Sequence, residues 1–441
     1  MTNNDLICSG PILRPGDDGY AAEIAGFQTA YTHRPALVVG ARHTEDVRAA
    51  VEYAARHRLP IGVQATGHGL SVPLDGGVLV STRRMTGIEI DPVARTAKVA
   101  AGVRAGALID AAAPHGLAPL NGSSLSVGVV GYHLGGGLGI LARTFGYAAD
   151  RVRAIELVTA DGRVRTLPSG DELFGAVLGT GGNFGVVTAL ELELVPLTSV
   201  YGGQLIFDTD LVEPALEAWR LWTQDVPDET TSGLTLMTMP DIPPVPAPLR
   251  GRYIATINIA HVGPDGDRLV EPLRRIGTRL KDDLRAMPYT ETHTIYSDPD
   301  FPHAYTATNL LLSELNADAA QAFLDATADA PVVANLRHLG GALRRPGPAT
   351  VDHRDADHLA RFITEPGGDE IRGLHDGIGK ALSPWAIGHS LNFLYGAGDW
   401  ADERQTRAGY TESTYARLAA LKATYDPGNL FRANRNIVLS S

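Results

Sequence analysis

Cysteine is nearly missing from this chain, with one residue, Cys8, among 441. No intrachain disulfide can close, which fits a reducing compartment. Long apolar runs are missing too: nowhere do about 18 uninterrupted apolar residues occur, the length a membrane span needs. The opening MTNNDLICSG has neither the basic segment nor the apolar core of a secretory signal. The expectation is a cytoplasmic protein with no membrane partner. Positive charge is in deficit, with 38 Lys and Arg against 50 Asp and Glu and a net charge of −12. Such a surface repels phosphate backbones, so nucleic acid is not an expected partner. Internal repeats and low-complexity segments are absent as well.

What is present is an ordinary globular composition, 44% hydrophobic and 20% charged, long enough for two or three domains. The first third alternates short apolar runs with helical patterns. Segments 35–40 and 61–65 read as strands, joined by a helix that Thr44 caps and whose apolar face is Val47, Ala50, Val51 and Ala54, a βαβ unit. Further strands are expected at 77–80, 87–90, 97–101, 154–159 and from Arg163, with an Asp161-Gly162 turn between the last two. Residues 186–195 (VVTALELELV) alternate as an antiparallel strand with one wet face. From about residue 198 the texture changes to amphipathic helices at 213–222, 269–284 and 317–328 between strands such as 253–260. Five prolines in the nine residues 240–248 mark a stiff loop. The tail 401–425 reads as one long helix, with Tyr415, Leu418, Leu421 and Tyr425 on one face, stopped by Asp426-Pro427-Gly428.

Glycine carries the functional signal, with eight of the chain's 49 between residues 121 and 146. Three segments stand apart: ATGHG at 65–69, GSSLSVGVVGYHLGGG at 122–137 and GTGGNFG at 179–185. Successive turns of small residues aim backbone N–H groups into a concavity, which holds a pyrophosphate without cationic side chains. A dinucleotide is the ligand suggested, although the GxGxxG fingerprint of nicotinamide sites fits poorly. The run HRDADH at 353–358 lacks the spacing for metal ligands on one helix face and reads as a solvated helix start, so no metal is expected. Arg337-His338-Leu339-Gly340-Gly341 reads as a strand end.

TGHG at 66–69, VGVVGYHLGGGLG at 127–139, RTFGYAAD at 143–150, GGNFGVVT at 181–188 and YARLAALKATYDPGNLFRANRNI at 415–437, taken in this order, resemble the FAD-binding oxidoreductases of the p-cresol methylhydroxylase and vanillyl-alcohol oxidase type, in their berberine bridge enzyme-like branch. The resemblance implies an α+β fold: a two-part FAD-binding domain from 1–197 and 391–441, and an inserted substrate domain at 198–390 built on an antiparallel sheet covered by helices. It implies FAD, held covalently through His68. Ser124 stands where many members have a second, cysteinyl link, so single attachment is expected. The flavin contacts are expected from His68, Ala65, Thr66, Gly67, Gly69, Leu70, Ser124, Val127, Gly128, Gly131, His133, Gly137, Val187, Asn392, Asn434 and Asn436.

Three departures from the family pattern stand out. Gln64 replaces an arginine, Gly175 and Leu178 replace a tryptophan and an arginine, and Ser390-Leu391-Asn392-Phe393 lacks the tyrosine that serves as catalytic base. Replacement candidates are His389 first, then Tyr395, with His133 in the glycine loop; each can equally be a hydrogen-bonded structural residue. Val127 occupies the position where valine accompanies oxygen reactivity in the family. The implied function is a flavin-dependent oxidase that takes two electrons from a small organic alcohol, sugar or secondary metabolite and passes them to molecular oxygen. A flavin-containing cyclase or other non-redox enzyme, and a non-enzymatic flavin-binding protein, are the alternatives.

Overall fold

The computed structural model describes residues 6–395 and 403–439. Three sheets organise it, and the hydrophobic pattern says why. The β-branched run Leu37–Gly40 is buried throughout, as a strand covered on both faces must be. It pairs in parallel with Val78–Ser81, which pairs in parallel with Ile61–Gln64, and Ile12–Leu13 adds an antiparallel edge. Strands 37–40 and 61–64 are thus joined by a crossover helix but separated by a third strand. That helix, Thr44–His57, buries Val47, Ala50, Val51 and Ala54. Its cap is His43 rather than Thr44, because Asp46 reaches back to the His43 N–H and the Thr44 hydroxyl is drawn to Glu156 at 2.7 Å.

The second sheet is antiparallel, in the order Ile88–Asp91, Thr96–Ala100, Val186–Glu193, Val152–Val158, Val164–Pro168. The expected wet face of 186–193 is not there. The strand is central, and helices Thr44–His57 and Val129–Leu134 both pack on it. Only its acidic end, Glu191 and Glu193, is half-buried, and Glu193 meets Arg151 and Arg153 at 3.2 Å each.

The third sheet has nine strands within 199–388, all antiparallel, and its central run is Ser199–Phe207, Tyr253–His261, Thr230–Thr238, Val333–His338, His358–Thr364 and Thr306–Leu312. Helices Val212–Trp222, Gly266–Arg274, Ala317–Thr327 and Asp369–Leu382 cover one face through Trp219, Leu273, Phe323 and Leu382. The chain is α+β. The helix expected over 269–284 stops at Arg274, just after Pro272. Arg279–Asp282 and Arg285–Pro288 then pair along Ser199–Phe207 instead, the sheet edge outcompeting local helical periodicity.

Two more expectations change. The tail forms two helices, Glu403–Arg407 and Glu412–Tyr425, the second capped by Thr411; Ala401 and Asp402, where a single helix was expected to begin, lie outside the described residues. HRDADH is a turn leading into strand His358–Thr364. Arg354 there binds Asp150 at 2.8 Å and His358 is buried, so tertiary partners replace the solvated helix start.

Candidate active site

The polar face of the third sheet, turned away from its helices, and the glycine loops of the first two sheets enclose a cavity of about 450 Å³. It is lined by 61–70 from the end of the first sheet, by 122–124, 127–128, 130–132, 134–135, 180–182 and 185–187 from the glycine loops, by Phe431 and 433–435 from the tail, and by Tyr305, Arg337, Arg361 and 391–395 from the opposite side. Three sequence-distant glycine segments and the C-terminal motif therefore meet at one place.

The glycines there have a specific meaning. A Cβ built on Gly69 or Gly131 meets nothing within 4 Å, and both have backbone conformations open to any residue. Neither protein packing nor strain requires glycine at these positions, and both leave the backbone bare toward the cavity, where a ligand can lie against it. Gly181 and Gly182 also face open space, with positive φ of 67° and 101°. Gly137 is different. It does not line the cavity, and a Cβ would sit 2.7 Å from Ala148 and 3.0 Å from the Tyr132 ring, so it is small to seat Tyr132.

His68 stands in the cavity wall with its ring stacked on Phe27 at 3.8 Å. Its Nδ1 is 2.9 Å from the Thr66 hydroxyl and its Nε2 3.0 Å from that of Ser126. Burial, then Arg104 and His303, push its pKa down to about 4, leaving a neutral imidazole near pH 7. Ser124 lines the same wall and contacts Ser126 at 2.9 Å. Cys8 lies elsewhere, packed against the first-domain core with its thiol pushed up to about 11 by burial and Asp46. Gln64 Nε2 donates to the carbonyls of Ile24 and Ala25 at 3.0 and 3.3 Å, so a neutral amide fills the arginine position without a charge to satisfy. Gly175 is small because the Pro348 carbonyl passes 2.5 Å from where its Cβ would be; the loop at 348–350 takes the space of the missing tryptophan.

Of the other expected flavin contacts, Ala65, Thr66, Gly67, Leu70, Val127, Gly128, Val187, Asn392 and Asn434 line the cavity. The Asn392 amide, oriented to satisfy both neighbours, accepts from the Gly137 N–H at 2.8 Å and donates to the Gly135 carbonyl at 3.2 Å. Asn434 accepts from the Ser71 and Val72 N–H groups. Asn436 does not line the cavity, although its Oδ1 is buried without a partner. His133 is fully enclosed in helix Val129–Leu134, with Nδ1 on the Val129 carbonyl at 2.7 Å, and does not reach the cavity. His389 is also outside the lining, its Nδ1 held by the Asn309 carbonyl. Tyr395 is inside, edge-on to Tyr305 at 5.2 Å. Sequence reasoning missed Phe27, Tyr132, His303, Tyr305, Arg337 and Arg361, all cavity residues. For the two arginines a signal existed: each occupies the alternate position to apolar residues in a strand.

The cradle fits FAD, and Gly131 offers a direct check. It opens into the cavity from within a helix, where leucine is the better helix former. Gly131→Leu is expected to yield a folded, colourless protein, melting no lower than flavin-free His68→Ala. A yellow variant with full flavin content would show that nothing lies against residue 131.

Comparison with known proteins agrees with this geometry. The model of an FAD binding domain matches residues 35–168, and that of the berberine and berberine-like proteins matches residues 400–438. (R)-6-hydroxynicotine oxidase of Paenarthrobacter nicotinovorans is 28% identical over 98% of this chain and 97% of its own. An FAD-linked oxidoreductase of Dictyostelium discoideum is 26% identical over 97% and 94%. Among solved structures, 6-hydroxy-D-nicotine oxidase from Arthrobacter nicotinovorans superposes with a TM-score of 0.83 at 26% identity, covering 99% of this chain and 100% of its own. No helix among the described residues is long and apolar enough to cross a membrane. The chain belongs to the FAD-linked oxidases of the p-cresol methylhydroxylase and vanillyl-alcohol oxidase type, in their berberine bridge enzyme-like branch.

Proposed function

We propose that this protein oxidises a small organic molecule in the cavity between glycine cradle and third sheet, with FAD held by one covalent bond through His68 and molecular oxygen as the final acceptor. The observation that carries the reading is the neutral, cavity-facing imidazole of His68 beside glycines that leave the backbone bare toward the cavity. When bound, FAD accepts two electrons from a substrate C–H bond and returns them to the acceptor. The chain's own residues position the reactants and handle the proton. Thr66 and Ser126 hold the two ring nitrogens of His68 and fix the plane of the ring on Phe27. With serine at 124 and the sole cysteine outside the cavity, a thioether cannot form. Tyr395 is the better placed of the two expected bases, since it faces the cavity while His389 is engaged by Asn309. It would take the substrate O–H or N–H proton as the C–H bond is broken. The single half-buried Cys8 suits a cytoplasmic site of action.

Val127 belongs to the oxygen side of this proposal. It lines the cavity half-buried, and its carbonyl is held by the Ala105 N–H at 2.9 Å, which fixes the backbone that presents the side chain. One added methylene in a wall packed like an organic crystal is enough to close a space for a diatomic molecule. Val127→Leu is therefore expected to slow reoxidation at least tenfold when anaerobically reduced protein meets aerated buffer in a stopped-flow cell. Sluggish reoxidation of the wild type itself would point to a dehydrogenase. Peptide mapping completes the test: flavin mass is expected on the peptide containing residue 68 and on no other.

A further inference from the structure

Resting on the oxidase reading above, the geometry points to a substrate that carries a carboxylate, received by Arg337 and Arg361. The two arginines come from neighbouring strands. In the register between Val333–His338 and His358–Thr364, Asn335 faces Arg361 and Arg337 faces Leu359. Arg337 and Arg361 are thus diagonal neighbours on one face, close enough for long side chains to act together. The alternate residues Ala334, Leu336, Ala360 and Phe362 point into the helix-covered core, each with no exposed surface. Both guanidiniums therefore project from the opposite face, into the cavity.

Among the described residues no carboxylate pairs with either charge. Arg337, only 6% exposed, donates Nε to the side-chain Oδ1 of Asn335 at 3.3 Å. The Arg361 side chain makes no hydrogen bond among the described residues, and its Nε is buried without a partner there. Both guanidiniums lie over the Phe393 ring at 5.1 Å, and Arg337 also over Tyr296 at 5.0 Å. The rings fix the two planes but leave the N–H edges free. The one acid in the cavity lining, Asp298, is engaged by the Ser123 hydroxyl.

Two adjacent, partly desolvated cations without a counter-ion are costly in a folded protein. The cost is recovered when an anion enters, and the planar fork of arginine matches a carboxylate in two-point contact. In a protein of net charge −12, such a positive recess also selects against the rest of the surface for anions. A neutral sugar or amine would leave both charges unanswered.

Benzoate and benzamide, alike in shape and different in charge, test this on the yellow holoenzyme by flavin absorbance and, in parallel, by calorimetry. Benzoate is expected to bind at least tenfold more tightly than benzamide. Arg361→Met and Arg337→Met are each expected to weaken benzoate at least tenfold, with benzamide affinity, flavin content and flavin spectrum unchanged; Arg361→Lys should restore part of the loss. Equal binding of the two probes, no binding of benzoate, or unchanged benzoate affinity in the arginine variants overturns the proposal. So does loss of flavin, or a shifted flavin potential, in those variants with benzoate affinity intact, which would assign the charges to the cofactor. A colourless wild-type protein would instead sink the oxidase reading, and calorimetry would still report on the carboxylate.

Discussion

Acid precipitation of the wild-type protein is expected to carry the yellow colour into the pellet, and precipitation of His68→Ala to leave it in the supernatant. The effect is all or none, because a covalent bond survives denaturation and a hydrogen-bonded ligand does not. The structure gives His68 what the role demands. Its imidazole is neutral near pH 7, since burial, Arg104 and His303 all disfavour the charged form, so one ring nitrogen keeps a lone pair while the other can hold its proton. Stacking on Phe27 and the contacts to Thr66 and Ser126 limit the ring to one orientation. Removing the ring forfeits two hydrogen bonds of about 1 kcal/mol each, too little to unfold a chain of this size, so flavin release is expected from a folded variant. Wild-type protein that sheds all its flavin into acid would show that the link does not form.

The second large effect concerns stability. Lys422 and Asp426 are both fully buried and meet at 2.8 Å, one turn apart at the end of helix Glu412–Tyr425. Lys422 Nζ also donates to the carbonyls of Asn183 and Phe431 at 2.7 and 2.8 Å. Asp426 accepts from the Leu430 and Phe431 N–H groups at 2.7 and 2.9 Å. Burial pulls the lysine pKa down and Asp426 pulls it back up. Removing one partner of such a pair strands the other charge, at a cost of about 3–5 kcal/mol. Lys422→Ala is therefore expected to lower the denaturant midpoint sharply, whereas Arg268→Ala, which breaks an exposed pair with Asp265, leaves it unchanged. Equal midpoints for the two variants would mean that the buried pair is not structural. Because Asn183 also ties to the Arg435 carbonyl and the Ile437 N–H, the Lys422 variant should loosen the glycine loop at 181–182 and retain flavin less well.

That network explains why the tail was readable in the sequence. Lys422, Asp426, Phe431, Asn434 and Arg435 lie close together along the chain; Lys422 and Arg435 tie to the glycine segment through Asn183, Asp426 holds Lys422 and the Phe431 N–H, and Asn434 holds the N–H groups of Ser71 and Val72, so a compact motif records a complete structural task. Short strands of the first two sheets were legible for a similar reason, since their β-branched runs and turn residues act locally. Failures came where a distant partner decided. The helical periodicity of 269–284 yielded to a sheet edge supplied by Ser199–Phe207, and the expected wet face of 186–193 is covered by packing helices everywhere but at its acidic end. Intrinsic pKa puts His389 ahead of Tyr395 as the expected replacement base, but neither that nor sequence proximity to Ser390 says which side chain turns inward.

The sequence by itself determined the cofactor cradle, the histidine in its wall and the lack of a cysteine beside it, because backbone N–H groups, glycine freedom and terminal motifs are written in contiguous residues. Only the tertiary structure decided the wall opposite the cradle. Arg337 and Arg361 arrive from neighbouring strands, Tyr305 from just before strand Thr306–Leu312 and Phe393 from a short helical turn, and they meet through strand register and chain packing, which no single segment carries. Alternation along a strand says that two faces exist; which face meets a flavin cradle is settled only when the sheet docks.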